Sequence, residues 1–248
     1  MSILTKFDGL SLRYVQYRPS YSEEAIDYVL KSWTIPITCV ADVWAWTGIL
    51  SKLFLERWRT VYAIDPNVEM LNQAILQFWN NKQFNPIVAK AEHMNLESNS
   101  MDLIVVWQAF HRFDLELFRT EAKRVLKESA EVAIFYNNGD YHSEIIQRID
   151  QLSKKYCPLY QGSSGGLSNN EQIFREFFSC YNKAIFSNNY NVSLEAFLWL
   201  NFSASYAPKE WDECFEQYKN ELIELFYRYA QWENLIMHNN TILRIWTL

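Results

Sequence analysis

Apolar runs and amphipathic stretches alternate along the first 140 residues. Short apolar runs predict strands, and apolar positions spaced three and four residues apart predict helices. The predicted strands are 37–43, 60–64, 86–89, 101–106 and 131–136, and the predicted helices are 22–31, 47–57, 67–78 and 115–126. This alternation indicates a parallel sheet with helices on both faces, which binds ligands at the carboxyl ends of its strands.

The pattern changes beyond Gly139. A turn is predicted at 137–140, and a loop at 161–166, where glycine and serine cluster. The other predicted elements are helices at 143–155, 194–200 and 211–229 and strands at 183–186 and 241–247. We therefore expect an α/β protein with a Rossmann-like, doubly wound, seven-stranded and mostly parallel sheet and with helical insertions in its C-terminal third. We expect a single domain over 1–248, in which 1–140 form the binding core and 141–248 the C-terminal strands and a helical cap.

Charge and composition narrow the classes of partner. The net charge is −6 at pH 7, and no run of lysine or arginine provides an electrostatic footprint for nucleic acid. No apolar run is long enough to span a membrane, and the first residues lack the apolar core of a signal peptide, so we expect a cytoplasmic protein. Neither the four cysteines nor the four histidines show the spacing of metal ligands, so no metal is expected.

The segment that follows the first predicted strand is a tight turn before a helix, the usual place for a nucleotide-like cofactor. Trp44 and Trp46 stand in this turn where such chemistry favours glycine. With glycine at both positions, the turn would read Asp-x-Gly-x-Gly-x-Gly and end at Gly48. A dinucleotide fingerprint would place its third glycine one residue later, at Ile49, so the spacing disfavours a nicotinamide oxidoreductase.

Glycine is scarce in this chain and tryptophan abundant, with six of the former and ten of the latter. Average usage of about 7% would give about 17 glycines, close to the sum of the two counts. Four further tryptophans occupy turn or helix-exit contexts, where a positive φ is often required. They are Trp58, Trp79, Trp211 and Trp232. One hypothesis is that several tryptophans stand where the functional protein carries glycine, through reassigned reading of a codon or deliberate substitution; the alternative is that they are true core aromatics.

Several short motifs together resemble those of a known enzyme family. They are Tyr17-Arg18-Pro19, the turn from Asp42 to Gly48, Tyr62-Ala63-Ile64-Asp65-Pro66 with Glu69-Met70-Leu71, Ala91-Glu92, and Gln108-Ala109-Phe110-His111 with Phe113. In these motifs the chain resembles the class I S-adenosylmethionine-dependent methyltransferases, in particular the small-molecule type related to ubiquinone biosynthesis. The resemblance covers roughly residues 10 to 137 and continues more weakly through 203–208 to the end.

The resemblance implies a role for each motif in binding S-adenosylmethionine. The main chain of Trp44, Ala45, Trp46 and Gly48 would lie along the methionine part of the cofactor, and Asp65, followed by Pro66, would bind both ribose hydroxyls. The other implied contacts are Asp42 with the turn or the cofactor amino group, Ala91 and Glu92 with adenine, Gln108 with the region of the transferred methyl group, and Tyr17 as a cover over the cofactor. The simpler alternatives are a helix-capping Asp65, a loop-facing Asp42, a solvated Glu92 and a core Tyr17.

His111 is the one candidate catalytic residue. It would orient the acceptor or act as a general base near neutral pH. The alternative is a histidine that only packs and forms hydrogen bonds between its aromatic neighbours.

The leading interpretation is a methyltransferase that acts on a small-molecule acceptor. The runner-up is a catalytically silent binding protein with the same fold, whose cofactor cleft is blocked by Trp44 and Trp46. Because an indole buries a large area, we expect cofactor binding by this sequence to be much weaker than in the family, with Trp107 narrowing the same cleft. The oligomeric state is not indicated.

Overall fold

A seven-stranded sheet forms the centre of the molecule, with strand order β3-β2-β1-β4-β5-β9-β6. The computed structural model describes residues 16–31, 36–162, 171–178 and 180–247. The strands are β1 Cys39–Val43, β2 Thr60–Asp65, β3 Phe84–Val88, β4 Met101–Trp107, β5 Leu126–Gly139, β6 Asn182–Ser187, β7 Tyr190–Val192, β8 Leu235–Met237 and β9 Asn239–Thr247. The helices are α1 Glu23–Lys31, α2 Ile49–Leu55, α3 Val68–Phe78, α4 Leu115–Val125, α5 Glu144–Tyr156, α6 Glu171–Phe177, α7 Leu194–Phe202 and α8 Phe215–Tyr229.

The first five strands are parallel, and β9 runs antiparallel between β5 and β6. The predicted α/β class, the seven strands and the mostly parallel arrangement are therefore confirmed. Because β1 pairs with both β2 and β4, the chain changes direction across the sheet between β1 and β4. Open α/β sheets bind their ligands at such a switch point.

Alternation along the strands divides the core into two layers. Val40 of β1 packs on one face with the apolar sides of α1, α2 and α3, whereas Ala41 and Val43 pack on the other with α4 and α6. A third apolar cluster joins α5, α7 and α8. The sheet is thus covered on both faces, as its continuous apolar strands predict.

Three features differ from the prediction. The turn predicted at 137–140 is wrong because β5 continues to Gly139, where it pairs with Asn239 of β9. The helix α6 and the separate two-stranded antiparallel sheet of β7 and β8 were not predicted. Residues 163–166 of the predicted glycine-rich loop lie outside the described residues.

Candidate functional site

The turn after β1 folds back on the end of β2. The backbone N–H groups of Trp44 and Ala45 both donate to the carbonyl oxygen of Ile64, at 2.8 and 3.0 Å. The N–H of Gly48 donates to the carbonyl of Ala45 at 2.9 Å, and the carbonyl of Gly48 accepts the first bond of α2, from Lys52. The predicted strand, turn and helix therefore follow one another at the switch point.

Alternate residues of this turn adopt left-handed backbone conformations. The φ angles are 68° at Trp44, 52° at Trp46 and 79° at Gly48. At Gly48 a Cβ atom would lie 2.8 Å from a ring carbon of Phe78 and 2.9 Å from the Cβ of Ala74, so only glycine fits. Left-handed φ is uncommon for any residue with a side chain and a true outlier for a bulky one. The backbone here has the conformation of a glycine turn while carrying two indoles.

The indoles occupy the mouth of the switch point. Trp46 is 7% exposed, and its ring centroid lies 5.9 Å from that of Trp107 at the end of β4. Trp107 in turn contacts Tyr21 at 5.6 Å, and Trp44 contacts Phe113 at 5.7 Å. The Trp107 Nε1–H is buried and has no hydrogen-bond partner among the described residues. Aromatic rings thus close the space between the carboxyl ends of β1 and β4.

Asp65, the last residue of β2, points into the turn. Its Oδ2 accepts a 2.7 Å bond from the backbone N–H of Trp46, and its Oδ1 accepts a 2.7 Å bond from that of Asn67. The residue is only 1% exposed, and burial raises the pKa of its carboxyl to about 6. Pro66, which follows it, is half-buried. Helix capping of α3 is performed by Asn67, whose side chain accepts from Met70, so the simple alternative of a capping role for Asp65 is wrong.

Asp42 is fully buried beneath the same turn. Its Oδ2 accepts a 2.6 Å hydrogen bond from the Ser51 hydroxyl of α2, whereas its Oδ1 has no partner among the described residues. Burial raises the pKa of Asp42 to about 7, and the nearby Asp65 adds to the shift. The alternative of a loop-facing acid is therefore wrong, and Asp42 holds α2 against the end of β1.

The other predicted cofactor contacts are spread around this point. Ala91 is buried, and Glu92 is half-buried, with its Oε1 accepting from the backbone N–H of Asp114 at 2.9 Å. Tyr17 is half-buried, with its ring 5.5 Å from that of Trp199. Gln108 has φ of 47°, and its side chain donates to the carbonyl of Asn137 at 3.2 Å. The assignment of these residues to a cofactor stays a prediction.

His111 lies beside a buried phenol. Its Nδ1 is 3.4 Å from the hydroxyl oxygen of Tyr136. Burial lowers the pKa of His111 to about 4, with a contribution from the adjacent Arg112 charge, so the imidazole is neutral at pH 7. A neutral imidazole can accept a proton from a nearby hydroxyl or acid group.

A cavity of about 550 Å³ opens next to Trp46, Trp107, Gln108 and His111. Its remaining wall comes mainly from the N-terminal segment, the short helical turn that contains His111, α5 with its flanking residues, and the segment after α7. Residues there include Arg18, Arg112, Tyr141, Asp150, Tyr160 and Tyr206. Neither Asp42 nor Asp65 lines it. The structure thus separates the predicted site residues into a buried group beneath the turn and a group that faces the cavity, with Trp46 between them.

Most residues of the cavity wall were missed by sequence reasoning. Arg18 belongs to a recognised motif, and Tyr206 to the weakly similar segment 203–208, so a signal existed for both. No local pattern marks Asp150 or Tyr160, because they face the cavity from a helix and from the loop beyond it.

Comparison with known proteins relates part of this chain to methyltransferases. A family model described as a methyltransferase domain matches residues 42–134. In this region the chain is similar to methyltransferases, and it resembles the class I family. An uncharacterized methyltransferase of Mycobacterium bovis is 35% identical over 143 residues, which are 56% of this chain and 55% of that protein. A relative annotated only provisionally as a methyltransferase, from Dictyostelium discoideum, is 28% identical over 130 residues, which are 52% of this chain and 48% of that protein. The chain therefore spans about half the length of the curated relatives it matches.

Solved structures share the fold of this chain. A candidate type II methyltransferase from Anaeromyxobacter dehalogenans superimposes with a TM-score of 0.69 at 18% identity, over 93% of this chain and 98% of that one. A phosphoethanolamine N-methyltransferase from Haemonchus contortus, solved with phosphomonomethylethanolamine and S-adenosylhomocysteine, has a TM-score of 0.50 at 17% identity, over 98% of this chain and 56% of that one. The predicted class I resemblance and Rossmann-like fold are confirmed.

The side chains of the turn do not fit the sulfonium nucleoside that the family implies. A nucleoside lying against residues 44–48 needs the space that the Trp46 indole fills beside Trp107. Its ribose would need to reach the carboxylate of Asp65, which is 1% exposed and already accepts two backbone hydrogen bonds. The left-handed backbone of the turn would leave room for such a ligand, whereas the indoles obstruct it.

Metal ions and membranes are two further classes of partner. Within the described ranges, no three histidine, cysteine, aspartate or glutamate side chains are grouped so that they could hold a metal ion. In the same part of the chain, no helix has both the length and the apolar character required to cross a bilayer.

Proposed function

We propose that this protein is an S-adenosylmethionine-dependent methyltransferase that acts on a small-molecule acceptor in the cytoplasm. One observation carries the proposal, namely a switch-point turn whose alternate residues are left-handed and whose residue 46 N–H is bound by Asp65. With glycine at positions 44 and 46, this backbone would present main chain, not side chain, to the crevice between β1 and β4. Binding of S-adenosylhomocysteine by the Haemonchus contortus neighbour supports the choice of cofactor.

The cavity beside His111 supports binding of the acceptor. A volume of about 550 Å³ is of the size that holds small organic ligands. Trp46 of the predicted cofactor turn and Trp107 at the end of β4 form part of its wall. The neutral His111 can accept the proton that an acceptor group loses, while the enclosing wall orients the acceptor and excludes water.

The charges of the cavity favour an acceptor that carries an acidic group. Arg18 and Arg112 both line the cavity. The one carboxylate in the wall, Asp150, is neutralised by Lys154 at 2.6 Å and accepts bonds from Tyr160 and Tyr141 at 2.7 and 3.3 Å. Guanidinium groups pair well with carboxylates, which supports an anionic acceptor.

A silent binding protein is the second candidate, and the packing of Trp46 against Trp107 favours it. In this alternative the turn is closed permanently and the cavity serves binding only. The two candidates differ in whether removal of the indoles restores binding of the cofactor.

Calorimetric titration with S-adenosylmethionine tests the proposal. We expect weak or no binding by the protein as it stands and at least about 100-fold tighter binding by the Trp44→Gly/Trp46→Gly variant. In that variant, Asp65→Asn should weaken binding by about tenfold or more, because the ribose loses a charged acceptor. A folded double variant that binds no cofactor would contradict the proposal and favour the silent protein.

Activity is then measured with the double variant and labelled cofactor. Methyl transfer to a panel of small carboxylic acids should exceed transfer to the matching amides. Arg112→Gln should raise KM for the acid by about tenfold, with Arg175→Gln, on the exposed side of α6, as the control. Equal transfer to acids and amides would argue against the anionic acceptor.

A further inference from the structure

Four of the nine tryptophans within the described residues have positive φ. The angles are 68° at Trp44, 52° at Trp46, 60° at Trp58 and 62° at Trp232. Only a few per cent of residues other than glycine adopt such angles, and asparagine and aspartate account for much of that fraction. The left-handed conformation does not stabilise a bulky aromatic residue. Because four tryptophans nevertheless adopt it, we look for a common cause.

Trp58 occupies the glycine position of a helix-ending motif. Its N–H donates to the carbonyl of Leu55 at 3.0 Å, and the N–H of Arg59 donates to the carbonyl of Phe54 at 3.1 Å. These two bonds define the Schellman motif, in which the residue at position 58 is left-handed and is usually glycine. Trp58 is 81% exposed, so its indole contributes little packing in return.

Trp232 occupies the glycine position of a two-residue hairpin turn. Gln231 and Asn234 exchange backbone hydrogen bonds of 2.9 and 3.2 Å around Trp232 and Glu233. Positive φ at the first central residue and not at the second is the pattern of a type II′ turn, which favours glycine at that first position. Trp232 is 98% exposed, so here too the side chain does not stabilise the fold.

Trp44 and Trp46 complete the set at the cofactor turn, where they alternate with Gly48. Three unrelated local structures, a helix end, a hairpin and a switch-point turn, thus each require glycine where the chain has tryptophan. The chain holds six glycines and ten tryptophans, so the deficit of one residue type accompanies the excess of the other.

We propose that the protein made in its source organism carries glycine at positions 44, 46, 58 and 232, because a codon read as tryptophan in the present sequence is read there as glycine. At 44 and 46 this inference rests on the proposed function and opens the cofactor crevice beside Asp65. At 58 and 232 it rests on backbone geometry alone and is independent of any cofactor.

Mass spectrometry of the protein purified from its source directly tests which residue is present at these positions. Peptides that cover positions 58 and 232 should each be lighter than the printed sequence requires, by the difference between a tryptophan and a glycine residue. Peptides with intact tryptophan at these positions would overturn the proposal.

Thermal unfolding of recombinant variants tests the physical basis. Trp58→Gly and Trp232→Gly should each raise Tm by roughly 2 to 4 °C, because the left-handed strain is relieved. The matched controls are Trp79, which is 78% exposed with φ of −50°, and Trp211, which is 82% exposed without positive φ. Trp79→Gly and Trp211→Gly should leave Tm unchanged or lower it.

The results separate this inference from the proposed function. A rise in Tm at 58 and 232, together with failure of the Trp44→Gly/Trp46→Gly variant to bind S-adenosylmethionine, would support the glycine reading and refute the methyltransferase activity. Equal Tm changes at positions 58, 79, 211 and 232 would overturn the proposal of glycine at 58 and 232, whether or not the double variant binds the cofactor.

Discussion

The two ends of the parallel sheet hold acidic side chains in opposite ways, half-buried at the amino end and buried at the carboxyl end. At the amino end, Asp102 of β4 accepts from the backbone N–H groups of Thr38 and Cys39 at 2.9 and 2.8 Å and from the Thr38 hydroxyl at 2.7 Å. Lys127 of β5 pairs with it at 2.6 Å. Burial alone would raise the pKa of Asp102, but these partners together lower it to about 2.

At the carboxyl end of the sheet, no cation offsets the burial of the acidic side chains. Asp42 and Asp65 have pKa values raised to about 7 and about 6 by burial, and no cation is among the causes of either shift. The same edge contains the left-handed Trp44 and Trp46 and the buried Nε1–H of Trp107 without a partner. Uncompensated buried charges and strained backbone conformations are concentrated at functional sites. The contrast therefore supports a stabilising role for the amino end of the sheet and a binding role for its carboxyl end.

Gly48→Ala should have the largest effect on stability. The new Cβ would be forced against Ala74 on α3 at a residue with φ of 79°, so we expect a loss of about 3 to 5 kcal/mol in the free energy of unfolding. Chemical denaturation measures this loss. Gly139→Ala, where φ is not left-handed and the contact is with the side chain of Ile146, is the control and should cost less.

Asp42→Asn should change the pH dependence of stability. Between pH 4 and pH 8, the free energy of unfolding of the variant relative to the parent should rise by about 2 to 4 kcal/mol. Because the folded pKa of Asp42 is raised from 3.8 to about 7, its contribution is fully present below pH 4 and is lost as the pH rises through 7. The variant should therefore gain stability relative to the parent protein between pH 4 and pH 8. A difference between the two proteins that does not vary with pH would show that Asp42 is not titrating in this range.

Asp102→Ala should cost about 2 to 3 kcal/mol at pH 7, because it leaves two backbone N–H groups and Lys127 without their acceptor. The sign of the pH dependence is opposite to that of Asp42. The folded pKa is lowered to about 2, so the contribution of Asp102 is present above pH 4 and is lost as the pH falls through 2. Denaturation curves at pH 7 and pH 3 should show a smaller penalty at the lower pH.

Asn67→Ala should have the smallest effect, about 1 kcal/mol, because it removes one N-cap bond from the carboxyl end. Asp114→Ala, which removes the equivalent cap of α4, should cost about as much. Urea denaturation compares the two. A much larger loss at Asn67 would mean that the turn around Asp65 depends on this side chain as well.

Local patterns predicted much of the order of elements. The cap at Asn67, the strand that ends at Asp65 and the turn before α2 follow from residue preferences within a few positions. The extension of β5 through Asn137 to Gly139 was not predictable, because residues typical of turns are held there by pairing with β9, about a hundred positions later. The cavity wall was missed for the same reason, since Arg18, Asp150 and Tyr206 meet only after folding.

The sequence by itself determined the fold class and the glycine-like turn at residues 44–48. Both depend on short-range preferences of backbone and side chain, which neighbouring residues in the sequence are sufficient to predict. Only the tertiary structure decided that Asp42 and Asp65 are buried, that Trp46 lies against Trp107, and that Trp79 and Trp211 need no positive φ. Burial, ring contacts and backbone angles depend on which distant elements pack together, and these partners are brought together only by folding.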